Sequence, residues 1–140
     1  MNMQVRMETT EGLGRAAEVW VNGHLLRVCD GVSRPGRRCP PGLLEGVKLA
    51  FATAEAISWE QAARANPSRK MMLEPVRGWS YVGYGRVVSI MPSVVDFDLA
   101  TMECPQWTTD RGLIGRYVRI PIDRLELVPA EPADWPSQAR

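Results

Sequence analysis

The sequence predicts a mainly β fold, a small antiparallel barrel carrying one short helix. Apolar and polar residues alternate over several short runs separated by Gly- and Pro-rich stretches, which is the pattern of half-buried strands. Asn22-Gly23 joins two apolar runs, and both residues accept the positive φ of a type I′ hairpin turn. The apolar phase flips near Pro121-Ile122-Asp123-Arg124. A one-residue shift exchanges the two faces of a strand, so the chain must bulge or turn a corner there. At 140 residues the chain can bury a core without staples. Residues 1–128 are read as one domain, and 129–140, with three prolines, as an extended tail.

Taken in order, Val5-Arg6-Met7-Glu8-Thr9 alternates as a short strand. Val19-Trp20-Val21 and Leu25-Leu26-Arg27-Val28 form the hairpin around Asn22-Gly23, and residues 29–42 form a loop. Val47, Leu49 and Phe51 alternate with Lys48, Ala50 and Ala52, which predicts a strand over 46–55. Ser58 with Gln61 has the form of a capping box, and Asn66-Pro67 is a stop signal, so a helix is expected over 59–65. Leu43, Val47, Ala50, Phe51, Ala54 and Ile57 also satisfy helical spacing. One long helix over 43–65, giving an α+β fold, is therefore the alternative.

Residues 79–90, WSYVGYGRVVSI, are rich in aromatic and β-branched types and predict a strand. Gly83 and Gly85 share the parity of Trp79 and Tyr81, where a close packing partner or ligand would need them. Val95, Phe97 and Leu99 alternate with Asp96 and Asp98 as one further strand, and residues 103–115 read as loop. Residues 117–128 form the last strand, kinked at the phase flip. This order, with a helix after the third strand, resembles the OB-fold, and RYVRIPIDRLELV (116–128) resembles the closing strands of SH3-like barrels. Both resemblances concern architecture and imply no particular function, because small barrels host many.

Composition narrows the function classes. The net charge of +1 gives no general pull toward nucleic acid or anionic membrane. No run approaches the ~20 apolar residues of a membrane span, and the N-terminus MNMQVRMETTEG lacks a signal-peptide apolar region. Three cysteines are an odd number for a disulfide framework. A cytoplasmic protein with reduced thiols is expected. The basic residues are fifteen Arg against two Lys, a skew that favours bidentate contact with phosphate or carboxylate where it clusters.

The cluster is CDGVSRPGRRC, residues 29–39, where Arg34, Arg37 and Arg38 surround Pro35-Gly36. It reads as a surface connection able to hold an anion. His24, Cys29, Cys39 and Cys104 are zinc-capable types, but their spacing lacks the paired C-x2-C or H-x3–5-H form. No metal and no cofactor is expected. Asp96 with Asp98, and Glu55 with Glu60 near Trp59, are acid pairs read as solvated faces rather than catalytic groups. There is no Walker-type Gly-rich loop and no nucleophile elbow.

The function expected is non-enzymatic binding of a protein partner or small ligand by a homo-oligomer. The alternative is single-stranded nucleic-acid binding through Trp79, Tyr81, Tyr84 and Arg86, which interleave aromatic and basic groups. A small enzyme is the third reading. Trp135, the one large apolar side chain of the tail, is expected to dock and to mark an interface.

Overall fold

The computed structural model describes residues 3–130. The tail from 131, with Trp135, lies outside the described residues. The strands are β1 (Val5–Thr10), β2 (Ala16–Val21), β3 (His24–Asp30), β4 (Gly42–Leu44), β5 (Val47–Ala52), β6 (Met72–Arg77), β7 (Ser80–Ile90), β8 (Ser93–Asp96), β9 (Thr101–Glu103), β10 (Tyr117–Ile122) and β11 (Arg124–Pro129). One helix, α1 (Trp59–Arg64), and a 3-10 turn at Arg111–Leu113 complete them. The mainly β class is borne out. The strands form two sheets, of order β4-β1-β2-β3-β11-β5 and β10-β7-β8-β9, with β6 also on β7. Neither sheet closes on itself, so barrel closure is not confirmed. The pairing is not wholly antiparallel either: β11 lies parallel to β3. No helix among the described residues is long and apolar enough to cross a membrane.

The chain divides into two compact units, residues up to Leu49 with those from Glu126, and Ala50–Leu125. In the first unit, the hairpin between β2 and β3 turns at Asn22 (φ 48°) and Gly23 (φ 87°), as the Asn-Gly pair predicts. Val5, Met7, Val19, Val21, Leu26 and Val28 are buried, the alternate positions of their strands. A bulge at Glu8 shifts β1 against β2, which is why burial passes from Met7 to Thr10 rather than to Thr9.

In the second unit, β7 is the spine. It pairs with β10 over Tyr81–Arg86 on one side. On the other it pairs with β6 over Ser80–Tyr84 and with β8 over Arg86–Ile90. Tyr81, Val87, Val95, Phe97, Val118, Ile120 and Ile122 are buried. Helix α1 packs along β10. Buried Asn66 follows it. Its Nδ2 donates to the carbonyls of Lys70 and Val118, both at 3.1 Å, and its Oδ1 accepts from the Lys70 amide at 2.9 Å. Asn66 thus fixes the loop that follows the helix and satisfies a β10 carbonyl. Pro121, which has no N–H to leave unpaired, suits an edge strand.

The strand and helix expected over 46–55 and 59–65 are found, and the 43–65 helix is not. Abundant alanine was outweighed by the period-2 burial of Leu49 and Phe51. Ser58 does occupy the N-cap, but its side chain makes no cap hydrogen bond. The predicted corner at 121–124 is where the chain leaves one sheet for the other: β10 belongs to one and β11 to the other. The strand expected through Leu99 is corrected. It stops at Asp96, Asp98 takes a positive φ of 75°, and β9 returns as a hairpin. Asp96 Oδ1 accepts the Asp98 amide at 2.8 Å, so these two acids belong to a turn and not to one strand face.

Candidate functional site

The loop that begins at Cys29 is organised by its second residue. Asp30 ends β3 and is buried. Its Oδ1 accepts the amides of Val32 and Ser33, both at 2.8 Å, an Asx-type turn. Its Oδ2 accepts the Ser33 hydroxyl at 2.6 Å and the Thr10 hydroxyl. The Asp30 amide donates to Arg15 O at 2.8 Å, and the Asp30 carbonyl accepts from Gly14 N at 2.7 Å. Burial alone would push this carboxyl up. The four side-chain and amide hydrogen bonds from Ser33, Thr10 and Val32 outweigh it and hold Asp30 below the ordinary aspartate value.

This one residue therefore ties down two turns. The first is the β1–β2 turn, where Thr10 Oγ1 also accepts the Gly12 amide at 3.0 Å. The second comes after Asp30, where Ser33 Oγ accepts the Cys39 amide at 2.8 Å. Between them Arg34 and Arg37 exchange backbone hydrogen bonds of 2.9 and 3.2 Å. That closes a tight turn at Pro35-Gly36, with Gly36 at φ 72°, and proline then glycine suits a type II turn. Gly31 is a close approach: a Cβ there would lie 2.6 Å from the Leu127 carbonyl oxygen.

The two turns enclose a cleft of about 420 Å³ lined by Arg15, Arg34, Arg37 and Arg38, with Glu11, Leu13 and the turn residues. All four arginines are exposed. Among the described residues none supplies them an ion-pair partner. The sequence marked Arg34, Arg37 and Arg38; Arg15, nineteen positions before Arg34, is brought beside them by the pairing of β2 with β3 and the main-chain bond from Asp30. Four guanidiniums against one carboxylate make a concentrated positive site on a chain of net charge +1. A guanidinium stays charged at any working pH and presents paired N–H donors to phosphate or carboxylate.

The set Trp79, Tyr81, Tyr84 and Arg86 is split. Tyr81 is buried on the core side of β7 with Gly83 and Gly85. A Cβ on Gly83 would lie 2.6 Å from Phe97 Cε1, so the glycines admit the Phe97 ring. Trp79 is half-buried in the β6–β7 turn, and its carbonyl accepts from Leu125 N at 2.9 Å. Tyr84 and Arg86 lie on the opposite face, opposite Arg119 and Tyr117 of β10 in register. There Lys70 Nζ stands 4.9 Å from the Tyr84 ring centroid, Arg69 is 5.8 Å from that of Tyr117, and Arg119 Nε donates to Tyr84 Oη at 3.4 Å. A second cleft of about 430 Å³ is lined by residues 53–58, Gln61, Arg119, Pro121 and Asp123. Glu55 lines it, whereas Glu60 pairs with Arg64 at 2.8 Å. Buried Trp59 has no hydrogen-bond partner for its indole N–H among the described residues.

Cys29, Cys39 and Cys104 are free thiols. His24 is exposed, with Nδ1 3.3 Å from Asn22 O. No group of three or more His, Cys, Asp or Glu among the described residues is placed to hold a metal ion. Burial, with the Glu103 charge, pushes the Cys104 thiol up to about 12, and burial with the Asp30 charge raises Cys39. Thiolate is the reactive form. Mass spectrometry after iodoacetamide treatment near neutral pH should therefore find Cys104 unmodified in the folded chain and modified in urea. Rapid labelling of native Cys104 would contradict its burial.

Compared with protein-family models, curated proteins and solved structures, the chain matches none.

Proposed function

We propose that the chain is a non-enzymatic binding domain for an anionic ligand, a phosphate-bearing molecule or the acidic group of a partner, taken up by Arg15, Arg34, Arg37 and Arg38. The observation that carries this reading is the convergence on one cleft of four guanidiniums from two turns, none of them ion-paired among the described residues. The chemistry favours recognition over catalysis, because guanidinium donates hydrogen bonds without giving up or taking a proton. Anchoring both turns to a buried carboxylate lowers the ordering that binding must impose. Self-association belongs to the same reading as a separate expectation, checked by light scattering on the full chain.

Pyrophosphate titrated into the protein by calorimetry at low salt is the test. Binding should weaken as salt is added, since the contacts are charge-dominated. Replacing Arg34, Arg37 and Arg38 together by Ser should abolish it while changing stability by only about 0–1 kcal/mol, as unpaired exposed charges do. Retained pyrophosphate affinity in that triple variant would defeat the proposal.

A second reading is single-stranded nucleic-acid binding on the Tyr84 face. The observation favouring it is the pairing of Tyr84 and Tyr117 with Lys70, Arg69 and Arg119, aromatic faces beside cations. It predicts that an oligonucleotide binds with an affinity lowered by Tyr84→Ala and left unchanged by the arginine triple. The opposite pattern would assign the oligonucleotide to the arginine cleft.

A further inference from the structure

Three exposed apolar side chains stand in one row across the first unit. Leu43 of β4 is opposite Arg6 of β1, Arg6 is opposite Trp20 of β2, and Trp20 is opposite Leu25 of β3. Directly opposed residues share a face, so the four side chains project together. Leu43 is 54% exposed, Leu25 46% and Trp20 37%. The Trp20 indole N–H is already satisfied by Glu8 Oε1 at 2.9 Å. What the row leaves open is its apolar surface and the Arg6 charge. Scattered surface leucines need no explanation, but a contiguous row with a tryptophan marks a surface that something covers.

The last described residue of the chain lies near this row. After β11, the Ala130 amide donates to Gly46 O at 2.8 Å. Gly46 lies three residues beyond Leu43 and two past the end of β4, so Ala130, the last described residue, sits beside the edge strand where the row begins. Ten residues come after Ala130, EPADWPSQAR. Trp135 is the fifth of them, and five extended residues reach about 17 Å. From Gly46 to Leu43 is three residues along the chain, about 10 Å, and Trp20 lies two inter-strand gaps, about 10 Å, across from Leu43, roughly 14 Å on the diagonal. Trp135 thus has the reach to lie on Leu43 and Trp20. Glu131 and Asp134 are the acids of this segment; the face offers them the Arg6 cation, while the Glu8 carboxylate beside it is taken up by the Trp20 indole. Two prolines flank the tryptophan and reduce the freedom lost on docking. A tether this short gives the tail an effective concentration in the ~mM range, which a second copy matches only when concentrated.

We infer that residues 131–140 dock on the outer face of β4-β1-β2-β3 of their own chain, with the Trp135 indole over Leu43 and Trp20 and the tail acids near Arg6. The test uses the full chain labelled with nitrogen-15, read at its tryptophan indole signals. In the parent protein the Trp135 indole should show the heteronuclear NOE of ordered residues. Trp135→Ala should shift the Trp20 indole signal, and Leu43→Ser should drop the Trp135 NOE toward that of a free tail. All signals should be unchanged on dilution. Both substitutions leave the buried core intact, and far-UV circular dichroism checks that they do. A Trp135 NOE near zero in the parent chain, with the Trp20 signal unmoved by Trp135→Ala, overturns the inference. So does a Trp135 NOE that falls on dilution in step with a loss of dimer mass, because the occupant is then a second copy.

Discussion

Asp30→Ala should lower the stability of the chain by about 3–5 kcal/mol, among the largest effects of any single polar substitution. The size reflects the donors left behind. The Val32 and Ser33 amides and the Ser33 and Thr10 hydroxyls all donate to this carboxylate. The hydroxyls can rotate to other acceptors. The amides cannot, and each buried donor left unsatisfied costs about 1–3 kcal/mol, on top of charge-assisted bonds that were stronger than neutral ones. Asp30→Asn keeps the shape and one acceptor oxygen, so its loss should be smaller. The pH dependence separates charge from shape. The folded Asp30 carboxyl sits below its ordinary value, so its stabilisation is fully present above the unfolded value of about 3.9. It is lost as pH falls from there through the folded value. Urea unfolding of the parent chain and of Asp30→Asn should therefore differ most near neutrality and begin to converge only as the pH falls below about 4 and on toward the folded value. A difference that is constant with pH would mean that the ionised form is not what holds the two turns. The same variant should weaken pyrophosphate binding without touching an arginine, because the carboxylate holds Thr10 in the first turn and Val32 and Ser33 just before Arg34 in the second.

How much of this was legible depends on the range of the interactions. Asn22-Gly23 needed only its own φ preferences, and the corner at 121–124 needed only a change of parity, so both could be read from consecutive residues. Strand β6 was missed because it shows almost no alternation: Leu73 is its one buried residue, and Pro75 argues against a strand unless that strand is an edge. Strand β4 has three residues, too few for any period. The role of Asp30 had a signal that went unused, since an Asp at the head of a loop with Ser three residues on is the form of an Asx turn. That it also reaches Thr10 and brings in Arg15 is long-range information, which a sequence without pairing partners does not carry. The Tyr81 and Tyr84 split was legible in principle. They differ in parity, so one strand could not present both on one face. The partners of Tyr84, namely Lys70 and Arg119, come from a neighbouring loop and strand and were not.

Gly85→Ala should destabilise the second unit by about 3 kcal/mol, near the upper end for one added methyl in a packed core. The new Cβ would sit 2.5 Å from the Asp96 carbonyl oxygen, 2.7 Å from Val95 Cγ1 and 3.0 Å from Phe97 Cδ1. The first of these is backbone, and the pairing of Arg86 with Asp96 fixes it, so relief requires β8 to move. Gly83→Ala meets side chains instead, Phe97 Cε1 at 2.6 Å and Ile122 Cδ1 at 3.0 Å. Its loss should be smaller, about 1–3 kcal/mol. The difference gives a double-mutant test. Phe97 is fully buried and packs edge-on against Phe51, with centroids 6.2 Å apart. Shortening it to Leu loses that contact but opens the space a Gly83 methyl needs. Gly83→Ala with Phe97→Leu should therefore be less destabilised than the sum of the single changes, whereas Gly85→Ala with Phe97→Leu should be close to additive. Urea unfolding measures all five variants. A Gly85→Ala chain as stable as the parent would mean that β7 and β8 lie further apart than these distances require. The glycine face of β7 would then be open to a ligand after all, which the Phe97 ring otherwise forbids.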